Sequence, residues 1–583
     1  MAWLKVGLKR RVKLSSYILR TLNNFTSKMI NLGMLRKNFW IILIFGLAIF
    51  LRFFRLDYLE LFGDEVDAGY QAYSLMETGR DYKGHLLPLY AQSFSEWRAP
   101  MMMYFMIPFI KVFGLNEWGV RTFSAFFGVL SILGFYFLLK KLGFSKKIIL
   151  ISIFLISILP WHIQYSRAGF EITLMSSFIV WGIYFLINYL SKHKFYKLVL
   201  AAILLSLSFY TYNTANIYVP LFILLVFGIR KLVNKEKIVK SAFKLLLMMF
   251  VLSLPILYQI FFGAGASRFK TVSIFNNDSI VSEINDYRKQ QNYSGVSKIF
   301  YNKVVYAIRK IGANYLNAFS SDFLFGMGDV TFRHSLHKVG NSFWVYAVFV
   351  LAGLVFFVAN KKKNFGDYFM LGFLIISPIP SSLTIDGYNH ATRLFLMIFP
   401  LCYFAAVGFS KIFEYKKVIG ILLSIVLYFE FAYFQYYYWN SYRLDSWRWW
   451  HVGYKQAMES VVKNEHGFDK VLIENTYEPA LPRFLFWANY DPRKVFGLDD
   501  RNNTKIDGFN GFCLNEKICF MNFSPSISNA KYMVKNHLYL ISQSVNVGGD
   551  WDWSKNAPEG VKVLETIRNP IGDPLFYLVT RVE

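Results

Sequence analysis

Apolar runs of about 17–25 residues recur from Phe39 to about Tyr438, and each is long enough to cross the hydrocarbon core of a bilayer as a helix. That recurrence restricts the chain to a mainly α, polytopic helical membrane protein. Eleven spans are expected, near 39–55, 118–139, 148–162, 170–190, 198–214, 216–230, 243–262, 342–359, 366–384, 392–409 and 418–437. The composition agrees: 55% of residues are hydrophobic and 17% charged, against roughly 25% charged in soluble domains.

A formal charge of +27 invites a nucleic-acid reading, but its distribution argues against one. Segments 1–38, 140–147, 191–197, 230–240, 360–364 and 410–417 hold 27 Lys and Arg against two acids, Glu236 and Glu414. The rest of the chain is nearly neutral, with 37 basic and 35 acidic residues. The excess is a positive-inside bias, so no nucleic acid is implied. It puts the amino terminus in the cytoplasm and, with an odd number of spans, the carboxyl terminus outside. The basic 1–38 segment is followed by an apolar run without a small-residue cleavage site, which reads as a retained first span.

The expected organisation is a cytoplasmic segment 1–38, a transmembrane domain 39–438 and a soluble extracytoplasmic domain 439–583. Two long outer loops cover 56–117 and 263–341. In the first, Asp64 to Thr78 has helical periodicity, and Gly79 is a natural stop. The apolar part of WRAPMMMYFMIPFIKVFG is only about 14 residues, short for a span and suited to an interfacial helix. In 439–583, HVGYKQAMESVVKN reads as a helix and KVLIEN and LFYLVTRV as strands, together a small α/β unit. Cys513 and Cys519, six apart, suit either a disulfide or two free thiols, and give no metal pattern.

Several ionisable residues stand at span ends on one side of the membrane. Asp64 and Glu65 open a helix after the first span. They are either carboxylates favoured by the helix dipole or a general base whose pKa is tuned by burial. His162, Arg167 and Glu171 lie in LPWHIQYSRAGFEITL, where Arg167 and Glu171 could equally form an i,i+4 pair. Arg98, Arg121 and Arg393 suit a lipid phosphate, for which the planar guanidinium fork is well shaped, although each alone could be snorkelling. Asp386 and His390 accompany Arg393, and Asp329, Arg333 and His334 cluster in GDVTFRHS. Convergence of four loops on one face favours a shared cavity. The chain has no P-loop and no H-E-x-x-H motif, so an ATP-driven pump and a zincin protease are not indicated.

FRLDYLELFGDEVDAGYQAYSLMETGRDYKGHLLPLY, FGLNEWGVRTFSAFFGVLS and LPWHIQYSRAGFE, in this order, resemble the GT-C glycosyltransferases, among them protein O-mannosyltransferases and aminoarabinose transferases. PIPSSLTIDGYNHATR and FLFGMGDVTFRHS resemble a prokaryotic branch. The resemblance covers about 40–410. It implies a GT-C fold and transfer of a sugar from a polyprenyl- or dolichyl-phosphate donor to a protein, lipid or polysaccharide acceptor outside the cytoplasm, with inversion. It also implies Asp64 as catalytic base with Glu65 beside it, Glu171 as a second acid, and Arg98 on the donor phosphate, with Arg167 and Arg393 as further phosphate candidates. His162, His390, Asp329, Arg333 and His334 complete the candidate set. No cofactor is required; if a divalent metal ion takes part, Asp64 and Glu171 are its expected ligands. Asp67 and Asn216 depart from the Arg residues that some relatives carry, which bears on sugar and acceptor identity. The alternatives are a flippase or transporter of lipid-linked saccharides and a non-catalytic surface-assembly protein.

Overall fold

The computed structural model describes residues 32–582 apart from 94–95, 234, 236, 264–273, 275–277, 294, 500–503, 524–526 and 528–529. Each of the eleven expected spans overlaps a helix, although in the ninth, 366–384, the helix is continuous only to Ile376. Leu32–Phe53, Glu117–Lys141, Ile172–Lys192, Phe195–Phe209, Ala215–Val233, Val239–Phe262, Trp344–Ala359, Phe365–Ile376 and Lys417–Asn440 supply nine. The third is a pair, Lys146–Ile158 and Pro160–Arg167, bent by 56°, and the tenth falls within Ala391–Tyr415. Six of these helices are long and apolar enough to cross a membrane by themselves, or seven if the bent pair counts as one span.

The bend has a local cause. Pro160 stands in the first turn of the second helix, where its missing N–H costs nothing and its ring stops the preceding helix. As a result His162 and Arg167, expected at the membrane edge, lie buried among helices.

Helix packing in the bundle relies on small residues. Gly353 and Gly408 bring Trp344–Ala359 and Ile398–Tyr415 together almost backbone to backbone. A Cβ on Gly353 would lie 2.0 Å from the Phe404 carbonyl oxygen, and one on Gly408 1.9 Å from that of Phe349. Such close approach is how helices gain dispersion contact in lipid, which offers no hydrophobic drive between them.

The first long loop folds as expected, into the helix Gly63–Thr78 closed by Gly79 at φ 70°. Then come a hairpin of β1 (Ala91–Ser93) and β2 (Glu96–Arg98) and the short apolar helix Met101–Phe113. Beyond Asn440 a seven-stranded mixed sheet forms from β3 (Lys470–Glu474), β4 (Thr504–Ile506), β5 (Phe509–Cys513), β6 (Ile518–Asn522), β7 (His537–Ser542), β8 (Val561–Arg568) and β9 (Pro574–Arg581), in the order β4-β5-β6-β3-β7-β9-β8. Strand β3 is parallel to both neighbours, and every other pairing is antiparallel. Cys513 and Cys519 are disulfide-bonded across the β5–β6 hairpin, which decides between the two readings left open by their spacing.

This domain is seated on the first loop. Helix Leu481–Trp487 packs on Gly63–Thr78, close enough that a Cβ on Gly69 would lie 2.7 Å from the Phe486 ring. The Tyr70 hydroxyl donates to the Tyr490 carbonyl (2.8 Å), the Gly453 N–H to Glu60 (2.9 Å) and Lys455 to Glu117 (2.7 Å). The two share one apolar core containing Val66, Leu75, Phe484, Phe486 and Ile473.

Gly353→Ala and Gly408→Ala are each expected to destabilise the protein by about 1–3 kcal/mol, the usual range for overpacking. Gly228→Ala, at a position with nothing within 4 Å, should be close to neutral. Thermal unfolding in detergent checks the contrast.

Candidate active site

Successive residues of GDEVD turn in different directions because they share one helical turn. Glu65 points inward and is fully buried. Its Oε1 accepts from Arg121 Nε (2.7 Å) and Gly169 N (2.7 Å), and its Oε2 from Arg121 Nη2 (2.8 Å) and Phe62 N (3.2 Å). Arg121 gives its remaining N–H groups to the carbonyls of Leu56, Leu59 and Glu60. Every lone pair and donor of this pair is thus engaged, which is what makes a buried ion pair tolerable. Glu65 therefore does not reach the cleft and anchors the loop. Arg121, expected at the outer face as a phosphate ligand, is consumed in the same way.

Asp64 faces the other way, toward Arg98 at the edge of a cleft. Its Oδ1 lies 2.7 Å from Arg98 Nη2, and Arg98 is delivered by β2 where it pairs with Ala91. Burial alone would raise the Asp64 carboxyl, but the charges of Arg98 and Arg333 overcome this and hold it below the usual range. Arg98 also feels Asp67 and Glu171. The cleft is lined by Ala68, Arg98, Met102, Glu171, Tyr212 and Asn213. The Tyr212 turn is fixed to the loop by a Met101 N–H bond to the Tyr210 carbonyl (3.1 Å). Asp67 sits behind Asp64, wholly buried, with Oδ1 accepting from the Tyr82 hydroxyl at 3.2 Å. Burial, only partly offset by Arg98, raises its carboxyl to about 6.

Two further groups complete the surroundings of Asp64. The Arg333 guanidinium stacks 4.8 Å over the Phe62 ring. The His451 ring is contributed by the segment leading into the carboxyl-terminal domain; its Nδ1 accepts from Gly63 N (3.1 Å) and Arg483 Nη2 (2.7 Å). Its proton must then be on Nε2, and burial beside Arg483 lowers its pKa to about 3, so it stays neutral. His451 also borders a cavity of about 620 Å³ lined by Tyr454, Tyr477, Asp550 and Arg568 among others.

The remaining candidates divide. Arg393 lies at the edge of the cleft beside Tyr212, paired with Asp386 at 2.5 Å. Arg167 is elsewhere: its guanidinium donates to the carbonyls of Leu51, Phe54 and Arg55 and to the Tyr438 hydroxyl, tying down the end of the first helix. His162 is also internal, between Arg52, Ser131 and Ser166. Asp329, His334 and His390 come together with one another. Sequence reasoning missed His451 and Tyr212. The first stands in RWWHVG just past the last span, and the second in YTYNTAN, a motif singled out only for Asn216. Asp64 and Glu171 share Arg98 as their counter-charge, so a cation between them would meet that guanidinium.

Residues 97–258 match the family model described as dolichyl-phosphate-mannose-protein mannosyltransferase. No curated protein matches the chain by sequence. Among solved structures, ArnT from Cupriavidus metallidurans bound to undecaprenyl phosphate superposes with a TM-score of 0.52 at 11% identity, covering 93% of this chain and 98% of that one. ArnT in the apo state gives 0.54 at 12% identity over the same shares. An oligosaccharyltransferase from Archaeoglobus fulgidus, in complex with Zn and sulfate, gives 0.48 at 14% identity over 78% of this chain and 61% of that one.

Glu65→Gln or Arg121→Ala should lower stability by about 3–5 kcal/mol, because each leaves the other partner buried and unpaired; chemical denaturation in detergent measures this. For Asp67 the sign follows from a folded-state pKa above the unfolded one. The folded protein binds the extra proton, so stability falls as pH rises from about 4 to about 6. Asp67→Asn is expected to flatten that part of the stability–pH curve and to stabilise the protein at pH 7, as read by unfolding midpoints between pH 4 and 8.

Proposed function

We propose that the chain, which shares the fold of ArnT and matches the mannosyltransferase family model over residues 97–258, transfers a sugar from a polyprenyl-phosphate donor to an acceptor hydroxyl at the extracytoplasmic face of the membrane, with inversion and with Asp64 as general base. The observation that carries this reading is the Asp64–Arg98 ion pair at a cleft that Arg98 lines together with Glu171 and Tyr212. An anion-binding group and a base are there in direct contact. The positive-inside distribution supports the sidedness.

The pair suggests how donor binding switches the base on. Without donor, Arg98 neutralises Asp64 and weakens it as a base. A lipid phosphate entering the cleft competes for the guanidinium, and each hydrogen bond it takes is one that Asp64 loses. The burial around Asp64, no longer offset, then raises its affinity for a proton. The acceptor hydroxyl gives its proton to Asp64 while its oxygen forms a bond to the anomeric carbon. The bond from that carbon to the phosphate oxygen breaks, and the electron pair leaves with the phosphate. Charge growing there is met by Arg98 and Arg333, groups already oriented before the reaction. A single displacement inverts the anomeric centre. No step is routed through a metal ion. Glu171 lines the same cleft as Arg98 and adds its negative charge near that guanidinium, and the acceptor approaches past His451 from the large cavity bordering the carboxyl-terminal domain.

Asp64→Asn is expected to cut transfer by about 10²–10⁴-fold, the usual worth of a positioned base. It should also bind polyprenyl phosphate as tightly as the parent or more tightly, since Arg98 is released. A radiolabelled transfer assay and a lipid-binding titration on the same preparation separate these effects. Transfer at the parental rate in Asp64→Asn would sink the proposal and favour a carrier that only moves the lipid.

A further inference from the structure

Among residues that do not line the cleft, two segments distant in sequence bring three metal-type ligands together. Asp329 and His334 come from the end of the second long loop and His390 from the segment before Ala391–Tyr415. One ligand atom from each lies within 4.8 Å of the others. His334 Nδ1 is 3.1 Å from Asp329 Oδ2, close to the spacing of about 3.3–3.5 Å that two ligands take around a tetrahedral ion with bonds of about 2.0–2.1 Å. The two imidazoles lie face to face with centroids 5.7 Å apart.

Asp329 is prepared for such a role. It is buried, and its carboxylate is oriented by hydrogen bonds from Thr331 N (3.0 Å) and Thr331 Oγ1 (3.2 Å) on one oxygen and from Ala391 N (2.9 Å) on the other. Outer-shell bonds of this kind fix the ligands of protein metal sites. An independent observation points the same way. His390 Nδ1 is buried without a hydrogen-bond partner among the described residues, and a buried polar atom of this kind normally has a partner that completes it. An Asp–His hydrogen bond alone explains the first pair and leaves His390 unexplained.

We propose that Asp329, His334 and His390 bind a divalent transition-metal ion of the zinc class. Two imidazoles and one carboxylate suit such an ion and not magnesium or calcium, which take oxygen ligands. The role is structural. The ion staples the second long loop to the segment before Ala391–Tyr415 and so fixes Arg333, next to His334, and Arg393, three residues beyond His390. The proposal does not depend on which reaction the cleft performs.

The test uses the full-length protein purified in detergent and dialysed without chelator. Elemental analysis should find one zinc-class ion per chain. After stripping with EDTA, zinc chloride should raise the unfolding midpoint by about 2–4 °C or more, and cobalt(II) should give the visible absorption of a low-coordinate site. His334→Ala and His390→Gln should each lose the bound metal and the zinc-dependent shift. The stripped parental protein reports even if a variant fails to fold. Absence of bound metal together with no response to zinc, manganese(II) or iron(II) overturns the proposal. So does full retention of zinc by both variants, since the ion would then lie elsewhere.

Discussion

The buried ion pair between Glu65 and Arg121 fixes where everything else at the cleft stands. Arg121 belongs to the second membrane helix and reaches back to three carbonyls of the chain leaving the first. Glu65 belongs to the loop helix and also accepts from Gly169 at the start of the fourth. Three transmembrane elements and one loop element thus meet at the five side-chain oxygen and nitrogen atoms of this pair, and none of those atoms can be withdrawn without stranding a charge. Since Asp64 is the preceding residue, its direction follows: with Glu65 locked inward, the helix sets Asp64 about 100° around the axis, on the cleft side.

Within that frame, charge is arranged by distance to Arg98. Asp64 touches it and is held ionised. Asp67, one turn on and sealed from water, is only partly compensated and takes up a proton near pH 6. Three carboxylates around one guanidinium need not all be ionised together, and protonation of Asp67 relieves the repulsion. The acidic cluster is therefore a graded set, from a structural anion through an anion paired with Arg98 to a carboxyl that is neutral under mildly acid conditions.

Much of this was legible in the sequence. Apolar run length located the helices, since a hydrocarbon slab imposes length on any chain that crosses it. Periodicity with Gly79 bounded the loop helix. Motif order pointed to Asp64, Arg98 and Glu171, which the fold does bring near one another. What failed was the separation of site charges from scaffold charges. Arg121, Arg167 and His162 stand at the same sequence height as Arg98 and have the same side-chain chemistry. Their fates differ because carbonyls at the ends of neighbouring helices, or side chains such as Glu65 and Arg52, lie within reach, and contacts across roughly fifty to three hundred residues leave no local signature. The bend at Pro160 compounds the error by drawing a segment expected at the surface into the bundle. His451 was invisible for a related reason: a lone histidine past the last span has no pattern around it, and only the seating of the carboxyl-terminal domain gives it a partner.

That seating limits how the two halves of the protein can change independently. The domain beyond Asn440 supplies the acceptor for the Gly63 N–H, through a ring whose tautomer is set by Arg483 of the same domain. An amide at the mouth of the helix Gly63–Thr78 is satisfied by an atom nearly four hundred residues away. Grafting the carboxyl-terminal domain of a distant relative onto this bundle would carry over a sheet and its surface, yet leave that amide dry and unpaired unless the graft also brought the histidine and its arginine. Exchange of surfaces between such carboxyl-terminal domains is therefore confined to the loops around the sheet, with the seam at residues 451–490 inherited as part of the transmembrane half.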